Sequence, residues 1–316
     1  MKIVALDSYT VDFDGLEWAG FAELGELTKY PRSAPSELEA RAADADALLV
    51  NKFVLNREGL ARLPKLRYVG VTATGYNNVD VAACKERSIA VTNVPDYSRD
   101  SVAQLVFAFI LDHCCHVYEY GTLVRNGEWS TSPDFCVPRF EQRELAGMKL
   151  GILGYGSIGQ AVAKIGRAFG MEILVGVLPG RAHQEGRLSL SDVYREADVL
   201  SLHCPLTPAT EGLIGESALR EMKPGTLLIN TSRGKLLDEL AVSKALNEGR
   251  LRCACLDVLS TEPPSPDNPL LSAPRTTISP HIAWATRQAR MRLLRETQLN
   301  LAAFLRGEPR ARVDLG

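Results

Sequence analysis

The sequence has no long apolar run, no excess of basic charge and few cysteines, and each absence excludes a class of protein. No apolar stretch of the 316 residues approaches the roughly 18 residues needed to cross a bilayer. Lys plus Arg number 36 against 38 Asp plus Glu, whereas a general nucleic-acid-binding protein usually carries a basic excess or stripe. We therefore expect no membrane and no nucleic acid among the partners.

The cysteines and the N-terminus predict a cellular compartment. Seven cysteines form an odd, scattered set, which predicts free thiols in a reducing cytoplasm and not a disulfide framework. The residues from Met1 to Asp7 hold a short apolar stretch closed by an acid, without a small-residue cleavage site. They are therefore interpreted as a first β-strand and not as a signal peptide.

Short apolar runs alternate with helical segments in two series, which is the pattern of α/β domains with parallel sheets. At about 150 residues a domain, the length predicts two of them. The predicted strands are 2–6, 46–50, 67–71 and 89–92 in the first series and 150–153, 173–177, 199–203, 227–230, 253–258 and 277–279 in the second. The second domain is expected to be inserted between the first and a returning C-terminal helix, 286–305.

The first series breaks at Asn93-Val-Pro95, before a long apolar helix. Ser101 and Gln104 have the spacing of a capping box, with the serine as N-cap. We therefore expect this helix to begin at Ser101 and to lead from one domain to the next.

A glycine-rich turn opens the second series. The run Leu150-Gly-Ile-Leu-Gly154-Tyr-Gly156-Ser-Ile-Gly159 places GxGxxG between an apolar strand and a helical pattern over 160–169. In the dinucleotide fingerprint these glycines permit a tight turn, close approach of a pyrophosphate and helix–strand packing. The motif predicts a dinucleotide. A structural turn, or another nucleotide such as S-adenosylmethionine, stays open.

The acid expected at the end of the next strand is missing. About 20 residues after the motif stands Val177, where a carboxylate would bind the ribose 2′-hydroxyl and repel a 2′-phosphate. Arg181 follows, with His183 close to it. Because a guanidinium favours a phosphate, we expect NADP or NAD as cofactor, with NADPH preferred. Alternatively, Arg181 is solvated and NAD binds without a carboxylate partner.

Three later segments end predicted strands with reactive residues. They are Asn230-Thr-Ser-Arg233-Gly234, Leu256-Asp257-Val-Leu-Ser-Thr-Glu262 and Ser279-Pro-His281-Ile-Ala-Trp284. Ligands of open α/β sheets lie outside the carboxyl ends of the strands, so the three segments should face one crevice. A guanidinium can grip a carboxylate through two hydrogen bonds, and a histidine beside a carboxylate can donate a proton. Each residue alone could instead be a solvated cation, a loop acid or a helix cap.

These motifs resemble, over essentially the whole chain, the D-isomer-specific 2-hydroxyacid dehydrogenase family. The resemblance rests on the glycine-rich turn and four later runs in family order: Ala197-Asp-Val-Leu-Ser-Leu-His-Cys-Pro-Leu-Thr207, Lys223-Pro-Gly-Thr-Leu-Leu-Ile-Asn-Thr-Ser-Arg-Gly234, Leu256-Asp-Val258 with Thr-Glu262-Pro, and Ser279-Pro-His281. Asn51-Lys52, Thr72-Ala-Thr-Gly75-Tyr-Asn-Asn-Val-Asp80, His281-Ile-Ala-Trp284 and Ser132-Pro-Asp-Phe135-Cys are similar to its glycerate dehydrogenase (hydroxypyruvate reductase) branch. The resemblance to this family implies a Rossmann NAD(P)-binding domain, 98–284, inserted in a flavodoxin-like substrate domain, 1–97 and 285–316.

The resemblance also implies a role for each matched residue. Arg233 would hold the substrate, His281 would protonate its carbonyl oxygen, and Glu262 would pair with His281. The remaining substrate-binding residues would be Lys52, Thr74, Gly75 and Trp284. Asp257 would bind the nicotinamide carboxamide. The other cofactor-binding residues would be Ser101, Gly154, Tyr155, Gly156, Ser157, Ile158, Gly159, Arg181, His203, Cys204, Pro205, Thr210, Thr231 and Ser232.

The predicted activity is NAD(P)-dependent reduction of a small 2-oxo acid, hydroxypyruvate or glyoxylate, to the D-2-hydroxy acid, by a homodimer formed through the cofactor domain. The alternatives are a D-lactate, phosphoglycerate or phosphoerythronate dehydrogenase, or a corepressor-like module that senses the cofactor. A phosphorylated substrate would need cations in the first domain, and the segment from Ser8 to Trp18 has no Lys or Arg. Glu262 argues against a formate dehydrogenase, which has Gln in that place.

The run His113-Cys-Cys-His116 looks like a metal motif. Adjacent residues on a helix point about 100° apart, so both cysteines cannot join a site with two histidines. We therefore predict no metal. Cys253 and Cys255 alternate along one strand face and are expected in the core.

Overall fold

The chain forms two compact units, described here from a computed structural model that covers residues 1–182 and 184–315. One unit comprises Met1–Ser98 with Ala285–Gly316, and the other Arg99–Trp284. His183, predicted near the cofactor, lies outside the described residues. The predicted boundaries, after 97 and after 284, fall within one residue of this division.

The first unit contains a parallel sheet of five strands with short helices between them. Its strands are β1 (Lys2–Ala5), β2 (Glu26–Lys29), β3 (Ala47–Val50), β4 (Tyr68–Val71) and β5 (Ala90–Thr92), and its first helices are α1 (Leu38–Ala42), α2 (Arg57–Ala61) and α3 (Val81–Glu86). The strand order is β2-β1-β3-β4-β5, which is the flavodoxin-like order.

Strand β2 was not predicted, and its position explains why. It lies at the edge of the sheet, and none of its four residues is buried. The central strands β3 and β4 are buried at every position, so they appear in the sequence as apolar runs. An edge strand with charged ends gives no such signal.

The second unit begins with α4 (Arg99–Cys115), and its sheet has six strands. The strands are β6 (Lys149–Leu153), β7 (Glu172–Gly176), β8 (Val199–Leu202), β9 (Thr226–Asn230), β10 (Leu251–Leu256) and β11 (Thr276–Ile278), and the other helices are α5 (Val117–Arg125), α6 (Ser157–Ala168), α7 (Leu190–Glu196), α8 (Glu216–Glu221) and α9 (Glu239–Asn247). All six strands predicted for this series are confirmed within about two residues.

The sheet of the second unit is parallel throughout, in the order β11-β10-β9-β8-β6-β7. A single parallel bridge joins Gly176, at the end of β7, to Leu188. With this bridge in the place of one strand, the order corresponds to that of a dinucleotide-binding fold. The predicted fold class, two parallel α/β domains with one inserted in the other, is confirmed.

Helix α4 corrects the prediction that Ser101 is a helix N-cap. The helix begins two residues earlier, at Arg99, and the Ser101 hydroxyl donates to the carbonyl oxygen of Ala283 at 2.5 Å.

Within the described part of the chain, no single helix is long and apolar enough to cross a membrane. Helices α4 and α5 together, bent by 53°, satisfy the length and composition of a broken span.

The chain returns to the first unit as α10 (Arg287–Leu305). This is the C-terminal helix that the sequence predicts over 286–305, and Thr286 is its N-cap residue. The Thr286 hydroxyl accepts from the Ala289 amide, as an N-cap does. Arg290 is almost fully buried, and its guanidinium donates two hydrogen bonds of 2.7 Å to the Asp14 carboxylate. This bidentate pair fastens the helix to the N-terminal part of its unit.

Candidate active site

The glycine-rich turn joins β6 to α6 in a form that excludes larger residues. Gly154 has a φ of +100°, and a Cβ there would lie 2.4 Å from the His203 carbonyl carbon. A Cβ on Gly159 would meet the Gly154 oxygen at 2.1 Å, whereas Gly156 faces open space. The N-cap residue of α6 is Gly156, which makes no side-chain cap hydrogen bond, and helix N-termini of this kind are suited to binding an anion.

Polar groups near the ends of β8 and β9 continue this crevice. The Ser232 hydroxyl donates to the Cys204 oxygen at 2.7 Å, and Thr210 donates to the Pro205 oxygen at 2.7 Å. The buried Thr231 hydroxyl has no hydrogen-bonding partner among the residues that the structure describes. A buried polar atom without a partner is costly, and a bound ligand would supply one. Binding of the cofactor by Thr231 stays a prediction.

His203 follows β8, and its ring nitrogen Nε2 lies 2.8 Å from the Ser201 hydroxyl. Burial lowers the pKa of His203 to about 4, because a charged imidazole is poorly solvated there. His203 is therefore neutral at physiological pH and adds no charge to the crevice.

Arg181 and Arg187 lie on the segment after β7, and Arg167 lies on α6. Arg181, predicted to bind the cofactor, is exposed on the loop after this strand. Arg167 donates to the Tyr155 hydroxyl at 3.3 Å, and the Arg187 guanidinium lies 5.7 Å from the Tyr155 ring centre. The sequence interpretation missed Arg187, whose contact with Tyr155 depends on the folding of the loop.

The three residues predicted to be catalytic line one cavity of about 280 Å³. Arg233 follows β9, Glu262 lies on the loop after β10, and His281 follows β11. Neighbouring parallel strands bring these residues to the same sheet edge. The cavity is completed by Leu206, Gly234, Lys235, Val258, Leu259 and Ser260.

Glu262 and His281 are in direct contact: the Glu262 atom Oε2 lies 2.6 Å from His281 Nδ1. The second carboxylate oxygen, Oε1, accepts from the Leu259 amide at 3.1 Å. Because both oxygens are engaged, the carboxylate is held in place while it orients the imidazole. Such a pair is suited to proton transfer at the opposite ring nitrogen, Nε2.

Asp257 holds the turn that carries His281. Its buried carboxylate accepts hydrogen bonds from the Ile282 and Ala283 amides, each of 2.8 Å, and from the Ser279 hydroxyl at 2.5 Å. Burial raises the pKa of Asp257, although these hydrogen bonds oppose the shift. His281 has a φ of +54°, an unfavourable conformation for a residue with a side chain. Binding of the nicotinamide carboxamide by Asp257 stays a prediction.

Trp284 also contacts the His281 turn, because its indole N–H donates to the His281 carbonyl oxygen at 2.8 Å. The structure therefore gives Trp284 a positioning contact. The predicted contact of Trp284 with substrate stays a prediction.

Glu239, which the sequence interpretation missed, fixes the loop that carries Glu262. Its carboxylate accepts from the Ser260 amide and hydroxyl, each at 2.7 Å, and from the Asn268 side chain at 2.9 Å. Glu239 opens α9, 21 residues before Ser260. No local pattern in the sequence could indicate this contact.

Arg233 and Glu262 are exposed, whereas His281 is partly buried. One guanidinium nitrogen donates to the Ser232 oxygen at 2.7 Å, and Asn230 donates to the Arg233 oxygen at 2.9 Å. The backbone of this loop is thus fixed, and the guanidinium retains donors for an anion.

The residues predicted in the first unit follow β3 and β4. Lys52 and Thr74 are exposed. The Lys52 amide donates to Asp7 at 2.5 Å, and the Thr74 hydroxyl donates to the Val94 oxygen at 2.9 Å. Gly75, next to Thr74, is partly buried. The substrate-binding roles of Lys52, Thr74 and Gly75 stay predictions.

A separate cavity of about 330 Å³ in the first unit involves none of the predicted site residues. It is lined by side chains of Trp18, Phe21, Arg287, Met291, Arg295 and others.

A dinucleotide turn and an acid–histidine pair at the ends of parallel strands define a nicotinamide-dependent dehydrogenase. Residues 107–283 match the family model described as "D-isomer specific 2-hydroxyacid dehydrogenase, NAD binding domain". The chain belongs to the D-isomer-specific 2-hydroxyacid dehydrogenase family, in its glycerate dehydrogenase and hydroxypyruvate reductase branch. It is an enzyme of this family, and its cofactor is NAD or NADP.

Three similar proteins illustrate this relationship. The chain is 42% identical to a hydroxypyruvate reductase from Blautia hydrogenotrophica over 98% of both chains. It is 36% identical to a glycerate dehydrogenase from Methylorubrum extorquens, over 98% of this chain and 97% of the relative. A solved structure from Thermus thermophilus matches with a TM-score of 0.87 and 33% identity, over 99% of this chain and all of the other.

Proposed function

We propose that this enzyme reduces a small 2-oxo acid, hydroxypyruvate or glyoxylate, to the 2-hydroxy acid, with the D configuration where the product is chiral. The observation that carries the proposal is the contact of 2.6 Å between Glu262 and His281 in a cavity that also includes Arg233. An anionic, carbonyl-containing substrate needs a cation for its carboxylate and a proton for its oxygen. This cavity offers both.

The proposed proton path starts at His281. Glu262 engages Nδ1 and stabilises the protonated ring, so Nε2 donates its proton to the carbonyl oxygen as the carbonyl carbon accepts hydride. His281 is left neutral and takes a proton from solvent before the next turnover. In the reverse direction, the neutral ring accepts the hydroxyl proton.

Arg233 is proposed to bind the carboxylate and to polarise the carbonyl oxygen. A guanidinium remains charged throughout the working pH range and can form two parallel hydrogen bonds. It therefore fixes the orientation of the substrate before proton transfer.

The residues of the second unit fit a nicotinamide dinucleotide. The turn has the glycines that a pyrophosphate needs, since a Cβ on Gly154 or Gly159 would collide with backbone. The Thr231 hydroxyl, which has no partner among the described residues, would add a donor to the same site. When bound, the reduced nicotinamide supplies the hydride, and this chain's residues bind it, orient it and supply the proton.

We further propose that NADPH is preferred over NADH. Residues 177–182 contain Arg181 and no acid, so nothing in this segment repels a 2′-phosphate. Arg187 beside Tyr155 adds a second cation on the same loop. Charge-assisted hydrogen bonds from two guanidinium groups favour the phosphorylated ribose.

The homodimer also remains a proposal. The apolar residues of α4 are mostly buried in the core of their own unit, but α5 and the loop after it expose Val117, Tyr118, Trp129 and Phe135. Exposed apolar side chains concentrated in one segment of the chain favour a subunit contact there. This supports an interface through the segment between α4 and β6.

Replacing Arg233 tests its proposed role. We expect Arg233→Lys to raise the KM for hydroxypyruvate at least 10-fold, because an ammonium cannot form the paired hydrogen bonds. The value of kcat/KM should fall by a larger factor than KM rises, because kcat falls as well. The Kd for the cofactor should not change. Arg220→Lys, at an exposed ion pair on α8, is the matched control. Unchanged substrate kinetics for Arg233→Lys would contradict the assignment.

A further inference from the structure

Two cysteines and a histidine meet inside the second unit, and none of them takes part in the proposed reaction. Cys253 and Cys255 alternate along β10, so their side chains share one face of the sheet. Both are almost fully buried. His113 comes from the last turn of α4, and its ligand nitrogen and the two sulfur atoms all lie within 4.8 Å of one another.

The histidine is held in place by a neighbouring strand. Its ring nitrogen Nε2 lies 3.0 Å from the Thr277 hydroxyl, on β11. A fixed imidazole and two fixed strand residues form a site whose ligands need little rearrangement to converge. Outer partners of this kind orient ligands in metal sites.

We propose that His113, Cys253 and Cys255 form a binding site for a thiophilic divalent cation of the Zn²⁺ class. Two thiolates and an imidazole are ligands that zinc and cadmium accept. Magnesium and calcium require oxygen ligands, and this group of three side chains supplies none.

Charge balance favours a divalent ion over a monovalent one. Two thiolates neutralise a charge of +2, so the occupied site has no formal net charge when the imidazole is neutral. A neutral site is the least costly to bury among apolar residues, and Cys253 and Cys255 lie in a core cluster with Ile152, Val199 and Ile229. Cu⁺ at the same ligands would leave a buried negative charge.

The site differs from the local motif that the sequence displays. The run from His113 to His116 does not converge on one point: His116 is the residue before α5, and its Nδ1 lies 3.5 Å from Glu119. In the parts of the chain that the structure describes, His113 with Cys253 and Cys255 is the one group of three such side chains whose ligand atoms come this close. The side chains that could bind the same metal ion as His113 lie on β10.

An occupied site would join α4 to β10 and so stabilise the second unit. Cys255 is the next-to-last residue of β10, and Asp257 directly follows that strand, so the site borders the segment that holds the His281 turn. Because a ligand of the folded state raises the unfolding temperature, the metal should increase Tm. Hydride and proton transfer do not require it.

The experiment is a titration of the reduced, metal-free full-length enzyme with Cd²⁺ alone. We expect one Cd²⁺ per chain, thiolate-to-metal charge-transfer absorption in the ultraviolet, and a higher Tm. Cys253→Ser and Cys255→Ser should each remove most of the absorption, and His113→Gln should weaken binding at least 10-fold. Cys136→Ser, at the exposed cysteine, is the matched control and should bind as the parent does.

Each alternative result overturns the site. In one such result, the parent enzyme takes up no Cd²⁺. In a second, binding is lost in Cys136→Ser but kept in Cys253→Ser, and in a third, His113→Gln binds Cd²⁺ with full affinity. Circular dichroism verifies that each variant is folded. If the variants with serine at the buried positions do not fold, the Cd²⁺ titrations of the parent and of His113→Gln, at a partly exposed position, still test the site.

Discussion

Glu262 holds His281 by the ring nitrogen Nδ1, at 2.6 Å from the carboxylate oxygen Oε2. The Leu259 amide, in turn, holds the other carboxylate oxygen. This relationship leaves Nε2 as the nitrogen that can reach a substrate, and it makes the two residues one functional unit. Loss of either member should therefore affect the same step.

A double-mutant cycle tests this unit. His281→Ala should lower kcat for 2-oxo acid reduction by about 10²–10⁴-fold, the usual contribution of a general acid, while the Kd for cofactor stays nearly the same. Glu262→Gln should lower kcat less, because an amide can still orient the ring but cannot stabilise its charge. The double variant should be no slower than His281→Ala. Additive losses would mean that the residues act independently.

Glu239 should act through the position of Glu262. Glu239→Ala removes the acceptor for Ser260 and Asn268, so we expect kcat to fall about 10–100-fold from the displaced loop, with cofactor Kd unchanged. Glu239→Gln keeps one acceptor oxygen and should recover part of the rate. Glu216→Ala, at an exposed ion pair on α8, is the control. A loss of thermal stability without a change in kcat below Tm would contradict a positioning role.

His203 should make stability depend on pH. Its pKa of about 4 lies below the unfolded value near 6.5, so the unfolded chain binds more protons between these values. The free energy of unfolding should therefore fall, on the order of 2–3 kcal/mol, as pH is lowered from about 6.5 to about 4.

Urea unfolding at several pH values measures this effect. Asp198 and Asp314, whose pKa values are lowered from 3.8, lose their contribution only below that range. His203→Gln, which keeps a polar group near Ser201, should have a flatter profile between pH 6.5 and 4. An identical slope in parent and variant would show that His203 is protonated as easily in the folded as in the unfolded state.

The loop after β7 should determine cofactor choice. Arg181→Ala and Arg187→Ala should each raise the KM for NADPH about 10-fold, because each removes a charge-assisted hydrogen bond, and should leave the KM for NADH nearly unchanged. Arg195→Ala, at the exposed end of α7, serves as the control. An equal effect on both cofactors would assign these arginines to another part of the dinucleotide or to structure alone.

The buried strands and the residues at their ends could be predicted because both leave local signals. β3 and β4 are apolar runs, and the arginine, acid and histidine of the site lie on the loops that follow β9, β10 and β11. Edge strand β2 has no apolar run to detect. Ser101 has a capping-box pattern, yet its hydroxyl donates to Ala283, which a local pattern cannot indicate.

Contacts between distant segments account for the rest. Glu239 reaches Ser260 from the start of another helix, and His113 meets Cys253 and Cys255 across the core. Such pairs depend on how a helix packs on a sheet. Residues that hold a site in position are therefore harder to find from one sequence than the residues that perform the chemistry.

The most direct test mixes the purified enzyme with hydroxypyruvate and either NADPH or NADH, follows the loss of reduced cofactor, and determines the configuration of the product. The account predicts turnover to the D-2-hydroxy acid, with kcat/KM higher with NADPH. His281→Ala should retain only a small fraction of the parent's turnover rate. Absence of turnover with hydroxypyruvate and glyoxylate, or formation of the L product, would contradict the proposed function.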